Sequence, residues 1–504
     1  MGADTTHESS GRNLRVGSLQ SIASGASVSL VGRVFMLGMG FVFNLALTRA
    51  IGISAYGLYA YGNTIVDTLL SFANLGSNKA VLRYMAEYDD SPRKQQQILG
   101  VSYLTSIGGG VGLVTVLMGS APYINAYTLN DPRFTPILRA FALLLLIKTL
   151  LKLTSDVFRG LELIHYEVLL DKILAPIVRV GLVGLALLVG FSLLKILGAL
   201  IVGSAAVLTL SVVVLVSYVG LAPSLNGIGG IAREYYAYVL PLSLQGVGLL
   251  LFQRVDIFMI GYFFDSSSVG IYNIAMLLAS VLAFPLGAFN QLAPAVISKL
   301  YYNGNIEELE SVYGTITRWT LTVSLLLAVG IVSYRTEILT LFGPAFAAGG
   351  TVLVLFALGQ VVNASVGPSG YVLMMTGHQY LTSANIAVGG VVNVVLNYYF
   401  IQEFGVIGAA FGTALTLGLV NVARVIEVWY FEELVPYSRA FSKPIVAAAG
   451  AAAVMSVWPE LLSGMPLLFI GGPSGSIAFV VLLLLLGIED EDKEFAADVY
   501  DNIS

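Results

Sequence analysis

Apolar residues come in long blocks along this chain, and short polar breaks separate the blocks. A helix that crosses a bilayer needs roughly 20 mainly apolar residues, and blocks of that length predict about fourteen spans. The first six run near 28-51, 55-77, 97-119, 135-157, 166-190 and 195-217. The next six run near 236-263, 268-297, 312-333, 349-376, 381-401 and 405-429, and the last two near 443-458 and 466-487. Residues 1-27 form a polar segment ahead of the first block, and 488-504 form an acidic tail. The pattern predicts an all-α polytopic membrane protein.

One stretch organises the rest. Leu240 to Tyr272 reads LPLSLQGVGLLLFQRVDIFMIGYFFDSSSVGIY, an apolar span carrying Arg254 and Asp256, then a polar hinge. The hinge restarts as S-x-x-G-I-Y (Ser267 to Tyr272), and Ser54 to Tyr59 reads S-x-x-G-L-Y in the hinge between the first two spans. Gly57 and Tyr59 answer Gly270 and Tyr272 at a constant offset. This echo implies a six-helix N-lobe over 28-220, a linker over 221-235, a six-helix C-lobe over 236-430 and two further helices within 431-487. A repeat unit with an even number of spans predicts a pseudo-two-fold axis along the membrane normal, with a cavity between the lobes. The charges are not duplicated: Arg33 aligns with Gly246, and Asp67 with Ser280.

Helical spacing shows which polar residues share a face. A charge at mid-bilayer costs about 2.5–3.5 kcal/mol even on lenient scales, so each must face protein or water. The first span sets Arg33, Gly40 and Asn44 on one stripe. The second sets Tyr56, Asn63, Asp67, Ser71 and Asn74 on one arc, which is read as a wet cavity wall. The fourth span carries Lys148, Lys152, Asp156 and Arg159. Lys152 and Asp156 are four apart and suited to pair, and Lys148 lies deeper with no acid one turn away. Arg139, on the opposite face near the outer end, snorkels. In the fifth span Lys172 and Arg179 share a face beside Glu167 and Asp171. Arg254 and Asp256 are about 200° apart around a helix, so they face different surroundings. Arg254 is assigned to the cavity and Asp256 to a neighbouring helix. Arg318 sits in the inner part of the ninth span. Arg424 and Glu427, three apart, are read as an intrahelical pair. Asn385, Gly389, Asn393 and Asn397 line one face, either a helix seam or a sugar-binding wall. Pro176, Pro285, Pro294 and Pro368 interrupt helices.

Composition narrows the chemistry. The 504 residues are 57% hydrophobic and 11% charged, against about 25% charged in a soluble chain. There is no cysteine, and His7, His165 and His378 are scattered, so no metal site or cofactor is expected. No P-loop or nucleophile–base constellation is present, and no loop is long enough to fold into an outer catalytic domain, so the chain is read as no enzyme. The net charge of −5 includes Glu489 to Asp492, read as a solvated tail, and gives no reason to expect nucleic acid. The first 25 residues have no apolar core, so the first span serves as an uncleaved anchor. With the N-terminus inside, the cytoplasmic side holds Arg12, Arg15, Lys79, Arg83, Arg93, Lys94, Arg159, Arg233, Lys299, Arg439 and Lys443, and the outside only Arg133, Lys195 and Arg335. That asymmetry places both termini in the cytoplasm.

Several strings together resemble the polysaccharide-transport branch of the multidrug/oligosaccharidyl-lipid/polysaccharide superfamily, which includes O-antigen and lipid II flippases. They are Leu47-Thr-Arg-Ala-Ile-Gly52 leading into Tyr56-Gly-Leu-Tyr59, Asp156-Val-Phe-Arg-Gly160, and Val255-Asp-Ile-Phe-Met-Ile-Gly261 leading into Val269-Gly-Ile-Tyr272. Thr376-Gly377 and Gly405-Val-Ile-Gly-Ala-Ala410 complete the set. The resemblance implies two six-helix lobes in a V plus two C-terminal helices. It implies alternating access that moves a polyprenyl-linked oligosaccharide from the inner to the outer leaflet of the cell membrane. Arg33 fits the resemblance by helix and face. The expected substrate site is then Arg33, Arg254, Arg179 and Lys148 on a phosphate or pyrophosphate, with Asn44, Asn63 and Asp67 on sugars or water. Expected partners are a lipid-linked oligosaccharide, membrane lipid and glycosyltransferases of the same pathway. Two alternatives stay open: a cation-coupled multidrug and toxin extrusion antiporter, and a non-transporting scaffold of a polysaccharide assembly complex.

Overall fold

The computed structural model describes the backbone over 5–243 and 252–487, with Glu489 and Asp492, and side chains from Val34 on except over 241–251. The side chain of Arg33 lies outside the described residues, as do residues 244–251 of the expected span 236-263. Every regular element described is a helix. In chain order they are α1 (Thr5–Ala73), α2 (Ser77–Glu87), α3 (Pro92–Tyr127), α4 (Phe134–Gly160), α5 (Ile164–Val189), α6 (Leu193–Tyr218) and α7 (Gly229–Ser243). There follow α8 (Val255–Phe263), α9 (Ser266–Tyr302), α10 (Ile306–Ser333), α11 (Arg335–Phe342), α12 (Pro344–Met375), α13 (Gln379–Glu432), α14 (Arg439–Glu460) and α15 (Leu467–Leu485).

Eleven helices among the described residues are long and apolar enough to cross a membrane. Two are of double length. A straight α13, with its 54 residues, would run about 80 Å at 1.5 Å per residue, well beyond a hydrocarbon core of about 30 Å. It is broken at Gly405 (φ 62°, ψ −139°), and α1 is broken at Gly52 (φ 73°, ψ 174°). Both glycines adopt backbone that residues with a Cβ rarely enter. Both breaks fall where hydropathy sets a joint, between 28-51 and 55-77 and between 381-401 and 405-429.

Proline sets further breaks. A proline deprives the carbonyl four residues back of its donor. The turn before Pro176 widens into a π-helix over Val168–Leu174, and the turn before Pro285 tightens into a 3₁₀ stretch over Val281–Ala283. Ser324 Oγ, from α10, donates to the Leu282 carbonyl at that break (2.9 Å), so the opened backbone is satisfied by a neighbouring helix. Pro368 lies in the turn between Gly350–Ala364 and Ser369–Met375, and Pro294 lies within a helix.

The chain divides into two compact units, 1–52 with 62–246, and 53–61 with 247–504. In the first, α2 is the wedge. Its Ala80, Val81, Tyr84 and Met85 pack with Ile98 and Leu99 of α3, Val157 and Phe158 of α4, and Tyr235 of α7. Gly160 has no room for a side chain, since a Cβ there would lie 2.8 Å from the Val81 carbonyl oxygen.

In the second unit the two copies of the echoed motif pack against each other. A Cβ at Gly57 would overlap the Ser266 carbonyl, and one at Gly270 would lie 2.9 Å from the Ile53 carbonyl. Ser54 Oγ and Ser266 Oγ are 2.9 Å apart, and Tyr56 Oη donates to Asn273 Oδ1 at 2.8 Å. Small residues that let two backbones touch are the usual means of close helix packing in lipid. Tyr56, expected on a wet wall, is fully buried in this crossing.

Two expectations change. Glu489 and Asp492 of the acidic tail are not simply solvated, since they form ion pairs with Lys443 and Arg318. Arg424 and Glu427 do not meet as a close pair. Glu427 accepts from Asn385 (2.7 Å) and Arg424 donates to Asn421 (3.4 Å), because a partner on a facing or neighbouring turn is better placed.

Candidate functional site

The second half of α1 brings Asn63 and Asp67 one turn apart, and α4 brings Lys148 against both. Asn63 Nδ2 donates to Asp67 Oδ2 (2.7 Å), and Lys148 Nζ donates to Asp67 Oδ1 (3.0 Å) and to Asn63 Oδ1 (2.9 Å). The three side chains close a ring of hydrogen bonds. Three of the seven expected site residues thus meet in one place. The acid that Lys148 lacks on its own helix comes from α1. The ring is not sealed: the Asp67 side chain is 38% exposed and that of Lys148 21%. A cation, an anion and an amide within one reach offer both donors and acceptors to an arriving polar group.

A second charged cluster lies further along α4. Lys152 donates to Asp156 (2.9 Å), Arg159 pairs with Glu167, and Lys172 pairs with Glu167 at 3.2 Å. Ser155 Oγ donates to Asp171 Oδ2 (3.2 Å). The Glu167 side chain is only 2% exposed, so this cluster joins α4 to α5 and offers little to a ligand. Lys172 is held there, as its spacing from Glu167 suggests. Arg179, further along α5, is exposed and makes no hydrogen bond or ion pair among the described residues. Arg139 is exposed and donates to the Met118 carbonyl. Asn44 donates to the Gly40 carbonyl of its own helix (2.8 Å).

The second unit has a buried counterpart. Asp256 is 1% exposed; its Oδ2 accepts from Tyr272 Oη (2.6 Å) and Thr413 Oγ1 (3.3 Å), and its Oδ1 from the Ile257 N–H (2.8 Å). Asn393 and Asn397 complete the group: Asn397 Nδ2 donates to Asn393 Oδ1 (2.6 Å) and to Thr413 Oγ1 (3.2 Å). Asp256 therefore ties α8 to α9 and α13. The Asn385–Asn397 stripe is a helix seam. A Cβ at Gly389 would lie 2.8 Å from Val420 and 2.9 Å from Phe252, and Asn393 donates to the Phe252 carbonyl (3.0 Å). Among the described residues no group of three or more His, Cys, Asp or Glu could hold a metal ion. Arg254 lies at the break before α8 (φ −137°, ψ −8°) and is half-buried.

Periodicity alone finds the stripes of Asn63–Asp67 and Asn393–Asn397. It misses Tyr272 and Thr413, which carry no charge and belong to other helices, and the tail carboxylate of Asp492 that reaches Arg318. The one usable signal was Tyr272 at a fixed place in the echoed motif.

Comparison with known proteins follows the same lines. The family described as "Polysaccharide biosynthesis protein" matches residues 22–299. The chain is 24% identical over 499 residues to the "Probable flippase AglR" of Haloferax volcanii, covering 95% of this chain and 99% of that protein. It is 26% identical over 268 residues to the "Probable low-salt glycan biosynthesis flippase Agl15" of the same organism, covering 50% of this chain and 54% of that one. Among solved structures it is similar to the lipid II flippase MurJ in an inward closed conformation, with a TM-score of 0.73 and 13% identity over 92% of this chain and 98% of that one. It is also similar to an inward-facing multidrug resistance MATE family transporter, with a TM-score of 0.62 and 14% identity over 80% and 99% of the two chains. At these identities the solved structures speak for the fold. With more than half of its length matched, this multi-pass membrane chain belongs to the polysaccharide biosynthesis protein family.

Proposed function

We propose that the protein is a flippase that moves a polyprenyl-phosphate- or pyrophosphate-linked oligosaccharide from the inner to the outer leaflet, for surface polysaccharide or glycoprotein glycan synthesis. The observation that carries this reading is the Asn63–Asp67–Lys148 ring: a lysine and a carboxylate held within membrane-length helices, yet left accessible by the protein around them. The end-to-end relative named a probable flippase supports the activity, and the half-length relative named for glycan biosynthesis supports the class of cargo.

At rest Asp67 neutralises Lys148. An arriving phosphate competes for the ammonium, and the freed carboxylate and the Asn63 amide then meet sugar hydroxyls. Arg33, Arg179 and Arg254 are the further cations assigned to the phosphate, and Asn44 a further sugar contact. Charge-assisted bonds are made on both sides of this exchange, so it is close to even and does not fix the cargo permanently. The two lobes then expose the headgroup to the other side while the prenyl tail stays in lipid. The chain acts as a carrier, not a catalyst, and with no P-loop in its sequence an ion gradient or the membrane potential drives uphill transport. Lysine and arginine bias supports cytoplasmic termini, where glycosyltransferases of the pathway hand over the product.

The test uses proteoliposomes holding a short-chain polyprenyl-diphosphate oligosaccharide, with headgroup exposure read by a membrane-impermeant lectin. Wild type should move the headgroup, and Lys148→Ala should slow it about tenfold, the loss of one charge-assisted contact of about 1.5 kcal/mol. No headgroup movement, together with proton-driven export of an organic cation dye, would establish the antiporter instead. Inactivity toward both, with normal assembly of a glycosyltransferase complex, would leave the scaffold.

A further inference from the structure

The end of the second unit holds a polar site that the transport reading does not use. Arg318, in the membrane-length α10, is 11% exposed at its side chain. Its guanidinium meets the Asp492 carboxylate with two prongs, Nη1 to Oδ2 at 2.7 Å and Nη2 to Oδ1 at 2.9 Å. The adjacent Trp319 indole N–H donates to the same Oδ1 at 2.6 Å. Lys443, at the start of α14, pairs with Glu489 at 2.5 Å and donates to the Gly487 carbonyl at 2.8 Å. Arg318, Trp319, Lys443 and Asp492 line one cavity of about 330 Å³, whose other walls include Ala440, Pro444, Leu483 and Leu484.

A guanidinium this deep in an apolar helix requires an anion. In the inner cluster of the first unit, Glu167 serves Arg159 from a packed helix. Here the anion comes from a tail beyond the last span, tethered by one further pair. Three N–H donors converge on this one carboxylate, with an ammonium beside them. Two guanidinium N–H groups, an indole N–H and a nearby ammonium match the several oxygens of a phosphate. The apolar half of the cavity suits a hydrocarbon chain attached to it, and its volume is within the range of ligand sites.

We propose that this cavity is a binding site for a phosphate group carried on a lipid, and that Asp492 occupies it as an internal stand-in which the phosphate displaces. The site is independent of the Asn63–Asp67–Lys148 ring and does not require the flippase reading. Two lipids bear such a group, a bulk phospholipid and an isoprenoid phosphate.

The full chain, purified in detergent, is titrated with dioctanoyl phosphatidic acid, farnesyl phosphate, dioctanoyl glycerol and inorganic phosphate, with bound ligand counted by native mass spectrometry. Both phosphate-bearing lipids should bind and the glycerol should not; the tighter of the two identifies the natural source. Asp492→Asn should tighten binding roughly tenfold, the release of a charge-assisted competitor, and Arg318→Gln should weaken it by at least as much. Lys443→Gln, on the more exposed rim, serves where Arg318→Gln fails to fold, and should weaken binding several-fold. Unchanged binding in Asp492→Asn and Lys443→Gln would overturn the proposal, and inorganic phosphate binding as tightly as the lipids would overturn the lipid assignment.

Discussion

Asp67 and Asp256 are the same residue in two opposite settings. Asp67 keeps a lysine and a share of solvent, and its partners Lys148 and Asn63 stay within reach of a ligand. Asp256 is closed off and meets a tyrosine, a threonine and one backbone N–H. Compensation by a cation in water is exchangeable, because a second anion can take the cation. Compensation by several fixed neutral donors is not, because each donor is set by its own helix and loses its partner if the carboxylate leaves. The first arrangement suits a site and the second an anchor.

Removing the anchor should produce the largest effect. Asp256→Ala strands the buried Tyr272 hydroxyl and should cost about 3 kcal/mol of stability, read as a lower Tm in detergent, whereas Asp256→Asn keeps an acceptor and should cost about 1 kcal/mol. An alanine variant that melts like wild type would refute the anchor. Next comes the crossing that carries Tyr272. Gly270→Leu forces a side chain against the Ile53 carbonyl and should cost about 2 kcal/mol. It should also loosen Tyr272, so combined with Asp256→Ala the two losses should fall short of their sum.

Asp67→Asn should barely move the Tm, by up to about 1 kcal/mol, since exposed pairs contribute little. Its effect should appear in transport instead, and raising the salt concentration should weaken the Asp67–Lys148 pair while leaving the Asp256 contacts unchanged. A stability loss in Asp67→Asn as large as in Asp256→Ala would erase the contrast.

The smallest effect is expected at Asp492, which has both kinds of partner. Burial alone would raise its carboxyl, but the hydrogen bonds from Arg318 and Trp319 outweigh burial and hold it below the usual carboxylate range. Its folded value is therefore below the unfolded one. The contribution is present above the ordinary aspartate value of about 4 and is lost as pH falls through the folded value. Hydrogen exchange at residues 487 and 489 should rise only below that window; release already at neutral pH would contradict the pairing.

Hydropathy alone determined the helical class and the joints at Gly52 and Gly405, and against about fourteen expected spans eleven described helices are long and apolar enough to cross a membrane; a bilayer imposes length, and these bends use a residue without a Cβ. Spacing along one helix likewise fixed the Lys152–Asp156 pair and the shared face of Asn63 and Asp67. Arg424 and Glu427 show where spacing fails: they sit three apart, yet Glu427 accepts from Asn385, 42 positions away. The meetings of Lys148 with Asp67, of Asp256 with Tyr272 and Thr413, and of Arg318 with Asp492 were decided only by the tertiary structure. Periodicity tells which way a side chain points around its own helix. Which helix lies opposite is set by packing across the whole unit, and glycines and kinks far from these residues decide it.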